Sequence, residues 1–234
     1  MEQILKDGFA QLGLPLDERG LERFRSYYHM LDETNKYMNL TAITGEADTA
    51  RLHFLDCAAL LTRLQLAGKT VIDVGSGAGF PGIPLAIACP NIKHMVLLDS
   101  LNKRVAFLQD CCTKLELSNT EAIHARAEEA AAEYREQFDV AVSRAVARLS
   151  VLCELTLPFV RVGGCLAAMK GPKGAEELAE AEKAIHILGG ELDEAAEYAV
   201  PGTDLQHSLV IVKKVRPTPK KYPRRFAMIK KSPL

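Results

Sequence analysis

The chain has 234 residues, 48% hydrophobic and 25% charged, with a formal net charge of −1. This is the composition of an ordinary globular protein, long enough for one substantial domain with an appendage. It excludes a bilayer-spanning segment, because the most apolar stretch, residues 70–87, is broken by Asp73, four glycines and two prolines.

The first residues, MEQILKDGFAQLGL, carry Glu2 and Asp7 and lack a basic flank with a long apolar core, so no signal peptide is expected. Residues 1–68 read as a helical segment. Asp17 is placed to cap a helix whose apolar positions Leu21, Phe24, Tyr28 and Leu31 share one face. A second helical run, Leu52, Leu55, Ala59 and Leu60, follows an irregular MNLTAI stretch and the link TGEADT. From residue 70 the pattern changes. TVIDV predicts a buried strand, PGIPLAIAC a helix with proline near its first turn, and HMVLLD a second strand. Leu101, Val105, Leu108, Cys112 and Leu115 form a helical stripe. Its adjacent pair Cys111–Cys112 suits neither a disulfide scaffold nor a zinc site, and none of the six cysteines is spaced CxxC. Reduced core thiols, no metal and a cytoplasmic location are expected. EAIHA predicts a third strand, residues 127–136 a short helix, FDVAVS a fourth strand, residues 149–160 a helix, GCLAAMK a fifth strand and residues 175–188 a helix. ELDEAAEYAV and HSLVIVKKV predict a closing antiparallel pair, since no helix-length segment separates them. The alternation predicts an α/β domain over residues 69–216, built on a mostly parallel seven-stranded sheet with helices on both faces. Residues 217–234 read as an extended basic tail. From Leu209 onward there are nine basic side chains and no acidic ones, which leaves 20 basic against 30 acidic in the remainder. A polyanionic partner and a solvated extension are about equally compatible with that asymmetry.

The loop after the first strand carries chemistry. Gly75, Gly77 and Gly79 alternate in D-x-G-x-G-x-G, whereas the dinucleotide fingerprint needs its third glycine at position 80, which is Phe80. Asp99 ends the second strand, where a carboxylate can accept hydrogen bonds from both hydroxyls of a ribose. This pattern is similar to that of Rossmann-like class I S-adenosylmethionine-dependent methyltransferases. Their cofactor has no pyrophosphate and needs close approach of glycine backbone instead.

The segments MNLTAI, RLHFLDCAAL, DVGSGAGFPGIPLAI, LLDSLNKRVAFLQ, FDVAVSRAVARL and MKGPKG resemble, in order, the small-subunit ribosomal RNA (guanine-N7) methyltransferase G family, long called glucose-inhibited division protein B. The resemblance runs from about Tyr37 to TPKKYPR. It implies an enzyme that methylates N7 of one guanine in 16S rRNA of the small ribosomal subunit, using S-adenosylmethionine. It implies cofactor contacts at Gly75, with Gly77 and Gly79 in the same loop, and at Phe80, Ala127, Glu128 and Arg144, with Asp99 for the ribose. Arg144, Arg126 and Lys170 are the basic residues it places near the guanine. The chain departs from the family at Leu205-Gln206-His207, where an arginine is common, and in its ending RRFAMIKKSPL.

Guanine N7 has an in-plane lone pair and no proton at neutral pH, so its methylation requires no general base. His53, His94, His124 and His186 are therefore read as structural or surface groups. A cation beside N7 would oppose the charge developing on the base, so Arg144, Arg126 and Lys170 are expected at O6 or at phosphates. Lys103, Arg104 and the basic tail are candidates for backbone contacts. Two other readings compete: a methyltransferase with a different acceptor, since the glycine loop reports the cofactor only, and a non-catalytic ribosome-binding module. A monomer without membrane association is expected.

Overall fold

The computed structural model describes residues 1–234. It begins with α1 (Glu2–Leu12) and α2 (Glu18–Met38). Asp17 caps α2 as expected, its carboxylate accepting the Gly20 N–H at 2.7 Å. A third helical stretch runs through α3 (Glu46–Thr49), a π-helical segment (Ala50–Leu55) and α4 (Asp56–Ala59) to a 3-10 turn at Leu60–Thr62. The sheet units follow: β1 (Thr70–Val74), α5 (Gly82–Ala88), β2 (His94–Asp99), α6 (Asn102–Lys114), β3 (Thr120–His124), α7 (Ala127–Ala130), β4 (Phe138–Arg144), α8 (Leu149–Thr156), β5 (Val160–Lys170) and α9 (Gly174–Ile187). Then come β6 (Gly190–Ala199), β7 (Gln206–Lys214) and α10 (Phe226–Lys231).

The seven strands lie in the order β3-β2-β1-β4-β5-β7-β6. Only β7 is antiparallel to its neighbours, pairing Ala167 with Ile211 on one side and Ala195 with Val210 on the other. The expected closing hairpin is present, with β7 inserted between β5 and β6. Successive strands run outward in opposite directions from the β1–β4 boundary, so the loops leaving those two strands diverge and open a crevice at their carboxyl ends.

Two cores cover the two faces. On one, α5 and α6 share apolar packing with the N-terminal helices through Phe9, Phe24, Tyr27, Phe54, Ile83 and Leu97. On the other, α8 and α9 pack with Leu152, Phe159, Ala184 and Val212. Helix α7 is a single turn where a longer helix was expected, and β5 starts four residues before Gly164.

The C-terminal segment is docked, with a short helix at its end, and not extended throughout. Arg135 donates to the carbonyls of Thr218, Pro219 and Tyr222. Lys214 is fully buried, donating to the Leu157 and Val160 carbonyls and pairing with Glu136 at 3.2 Å. Arg224 grips the fully buried Glu154 with its main-chain N–H and two guanidinium nitrogens. Buried carboxylate and carbonyl acceptors thus consume part of the basic charge that composition left available to a polyanion. Lys213, Lys220, Lys221, Arg225, Lys230 and Lys231 remain exposed.

Candidate functional site

The crevice is a cleft of about 510 Å³ between the loops that follow β1, β2, β3 and β4. Its floor is the glycine loop. Gly79 has φ 107°, and a Cβ there would lie 2.5 Å from Ile83 and 2.7 Å from the Tyr27 hydroxyl. Tyr27, fully buried on α2, donates to the Ala78 carbonyl at 2.6 Å, so the N-terminal helices pin the loop from beneath. Gly77 is different: its φ is 60°, and a Cβ would meet nothing closer than 3.9 Å, so it would project into open cleft. The loop leaves room for a ligand where a side chain would fill it.

Phe80 stands where the dinucleotide fingerprint has its packing glycine, and Gly82 performs that packing two residues later. A Cβ on Gly82 would run into Leu97 of β2, and 2.8 Å from the Asp73 carboxylate. Asp73 accepts the Gly82 N–H at 2.9 Å, while its other oxygen, also buried, has no partner. Burial pushes the Asp73 carboxyl up to about 7. It orients the start of α5 beneath the loop and does not line the cleft.

Asp99 braces two walls. Its Oδ2 accepts the Gly77 N–H at 2.9 Å and its Oδ1 the Leu101 N–H at 2.9 Å. Each oxygen has a further lone pair, which suits a pair of vicinal hydroxyls. Beyond it the cleft is lined by Ala125 from the β3–α7 turn and by Ala127 and Glu128 at the start of α7, together with Leu155 and Phe226. The small residues leave space there for a flat ring.

At the opposite end, Arg144 closes β4 with its guanidinium carbon 4.7 Å from the Phe80 ring centroid. It donates to the Leu52 carbonyl, to Asp56 at 3.0 Å and to His53 Nδ1 at 2.8 Å, which uses three of its five N–H groups. Because a guanidinium only donates, His53 Nδ1 must accept, and Nε2–H then donates to the Thr41 hydroxyl at 2.8 Å. Burial, with Arg144 adjacent, pushes the imidazole down to about 3, so His53 is neutral and stacked on Phe80 with centroids 4.1 Å apart. Asp56, 1% exposed, also accepts from the Tyr198 hydroxyl at 2.7 Å and from His207 Nδ1 at 2.8 Å. Burial pushes its carboxyl up, but the His207 hydrogen bond and Arg144 outweigh that and hold it below the ordinary value. The Asp56 hydrogen bond raises His207.

A second cavity of about 550 Å³ opens beside Arg144, walled by Asp56, Met169, Lys170, Glu177 and His207. The two cavities share His53, Arg144, Ala145 and Val146. Ala145 has φ 57°, a left-handed conformation for a residue with a Cβ, and the turn brings Val146 onto Gly75. Lys170, 8% exposed, donates to the Ala147 carbonyl and pairs with Glu177 at 2.8 Å, and Glu177 also accepts the Leu149 N–H. Lys170 therefore fixes the loop that follows Arg144.

Gly75, Gly77, Phe80, Asp99, Ala127, Glu128 and Arg144 come together around the first cavity, and Gly79 supports it from below. Arg144 and Lys170 meet at the second. Arg126 stands apart from Lys170, at the Glu128 end, donating to Glu128 at 3.0 Å and lying 5.6 Å over the Phe226 ring. Asp56, Tyr27, Tyr198 and Phe226 were not singled out from sequence. Their partners lie between 51 and 151 residues away for the first three, and no local pattern records such contacts. For His207, read only as a missing arginine, the hydrogen bond to Asp56 spans 151 residues.

A family profile described as GidB, rRNA small subunit methyltransferase G, matches residues 20–203, stopping short of the docked C-terminal segment. The chain is 48% identical over 230 residues to the Ribosomal RNA small subunit methyltransferase G of Lachnoclostridium phytofermentans, covering 97% of this chain and 95% of that protein. It is 47% identical over 235 residues to the protein of the same name from Clostridium tetani, covering 99% and 98%. Among solved structures it is similar to TrmN from Thermus thermophilus, with a TM-score of 0.56 at 18% identity over 77% of this chain and 53% of that one. It is also similar to precorrin-6y C5,15-methyltransferase from Geobacter metallireducens, with a TM-score of 0.53 at 16% identity over 68% and 86%. At such identities the likeness is one of fold, that of the class I methyltransferases. The near-complete coverage by relatives of one name carries more, and the chain belongs to the rRNA small subunit methyltransferase G family.

Proposed function

We propose that the protein transfers a methyl group from S-adenosylmethionine to N7 of one guanine in 16S rRNA. The observation that carries this is the pair of cavities that share His53, Arg144, Ala145 and Val146, the first lined by Asp99, the glycine loop and small residues, the second flanked by Arg144 and Lys170. In the first, Asp99 would accept from the ribose hydroxyls, Gly77 would admit the methionyl part beside the Gly75 backbone, and Ala127 and Glu128 would meet the adenine. Gly79 and Phe80 hold that surface in shape. When bound, the cofactor supplies an electrophilic methyl on a sulfonium.

N7 of guanine needs no deprotonation. Beside the second cavity, His53 has its lone pair occupied by Arg144 and is neutral, and Asp56 already accepts from three donors. His207 spends only Nδ1, on Asp56, and its other nitrogen is a base that this acceptor does not call on. Arg144 has two N–H groups left to offer, which would bind guanine O6 or a phosphate and leave N7 clear for in-line attack. Lys170 acts chiefly by holding the 145–149 loop, and Arg126 belongs to the cofactor end or to flanking RNA. The base would leave its stack to enter this cavity. Residues 1–68 serve as a brace for the glycine loop, residues 69–216 as the methyltransferase domain, and residues 217–234 as a docked basic segment. No helix is long and apolar enough to cross a membrane, which suits a cytoplasmic enzyme, and we take it to act as a monomer.

The test is incubation with labelled S-adenosylmethionine and unmodified small subunits, followed by mapping of modified bases. Label at a single guanine N7 is expected. Label on another acceptor, or cofactor binding without transfer, would overturn the assignment.

A further inference from the structure

The far end of the cofactor cleft contains a residue that belongs to none of the four sheet loops. Phe226, the first residue of α10, lines the cleft with Ala125, Ala127, Glu128 and Leu155. Several independent contacts hold it there. Two residues earlier, Arg224 makes three hydrogen bonds to Glu154, a carboxylate with no solvent exposure whose neighbour Leu155 is in the same wall. Three residues later, Ile229 is fully buried on the same side of the short helix, while Met228 points outward at 56% exposure. The Arg126 guanidinium also lies 5.6 Å over the Phe226 ring and is itself held by Glu128. Arg126, Glu128 and Phe226 thus form one continuous surface, contributed by segments about 100 residues apart in sequence.

We propose that Phe226 is a cofactor-binding residue, and that the docked C-terminal segment completes the adenine end of the cleft. This rests on reading the cleft as the site of a nucleoside cofactor. An aromatic ring flanked by small residues offers an apolar face to a purine, and stacking of a base on an aromatic side chain contributes appreciably to affinity. Arg126, laid over the same ring, positions it. The ligand class is an adenine nucleoside carrying a thioether or sulfonium at its 5′ carbon.

Calorimetric titration of the full chain with two probes tests this: S-adenosylhomocysteine, and 5′-methylthioadenosine, which keeps the adenosine end and lacks the amino acid. Phe226→Ala should raise the Kd of both probes by a similar factor, about ten-fold. Phe226→Leu, which keeps apolar volume at the docking face, should also weaken both. Met228→Ala, on the exposed side of α10, should leave both unchanged. If wild type binds both probes and Phe226→Leu binds them as tightly as wild type, the ring only anchors the segment and the proposal fails. If the loss appears with S-adenosylhomocysteine and not with methylthioadenosine, the ring does not serve the adenine, and the proposal fails too. If wild type binds neither probe, the reading of the cleft itself falls.

Discussion

Asp56 is a single carboxylate on which Arg144, Tyr198 and His207 converge from β4, β6 and β7. Removing it strands a guanidinium that has only 15% side-chain exposure. Asp56→Ala should cost about 3 kcal/mol in urea unfolding, the usual result of leaving half of a buried pair. Tyr27→Phe removes only the hydroxyl that holds the Ala78 carbonyl; it should cost ~1 kcal/mol and also weaken cofactor binding, because the glycine loop loses its brace. Asp99→Ala should raise the Kd for S-adenosylhomocysteine at least ten-fold, and an unchanged value would remove the ribose role. At this scale the sequence was informative wherever the chemistry was local. Alternating glycines and an acid at a strand end are readable because they lie within two adjacent βα units. Asp56 was not, since an aspartate inside an apolar helical run looks like any helix-face carboxylate until the strands that meet it are known.

Elements were more legible than their ends. Every strand was predicted, because short apolar runs between turn residues leave few alternatives, and the closing hairpin followed from a link too short for a helix. Residues 127–136 read as a longer helix because alanine and glutamate favour helix wherever they stand, whereas the chain turns after Ala130. The π-helical segment at Ala50–Leu55 had no signature in the apolar spacing, yet it presents both His53 and, just after it, Asp56 to Arg144. Helix α5 is placed by Gly82, whose packing role was assigned to no residue from sequence. Gly82→Ala should lower stability by about 2 kcal/mol through forced separation of α5 from β2, measured as a fall in Tm without loss of helical signal.

For the whole molecule, two groups tilt stability with pH in the same direction. Folded Asp73 keeps its proton up to about pH 7, whereas the unfolded carboxyl releases it near 3.8, so the native state binds the extra proton and stability declines as pH rises between those values. His207 is raised in the folded state, so its contribution is complete below its ordinary 6.5 and is lost as pH climbs through the folded value. Asp73→Asn is neutral at every pH, and the gap in Tm between it and wild type should shift in the variant's favour from pH 5 to pH 8. The tail was the part least foreseen. Composition reported its charge, but only the burial of Glu154 and the carbonyls facing Arg135 reveal that it is seated on the domain. Arg224→Ala should accordingly cost about 3 kcal/mol and loosen the segment to proteolysis. The two cavities hold only His53, Arg144, Ala145 and Val146 in common. A change at any of those four must satisfy both chambers at once. Because Asp56 and Lys170 hold Arg144 and the loop after it, a change at either would reach the cofactor chamber from the far side.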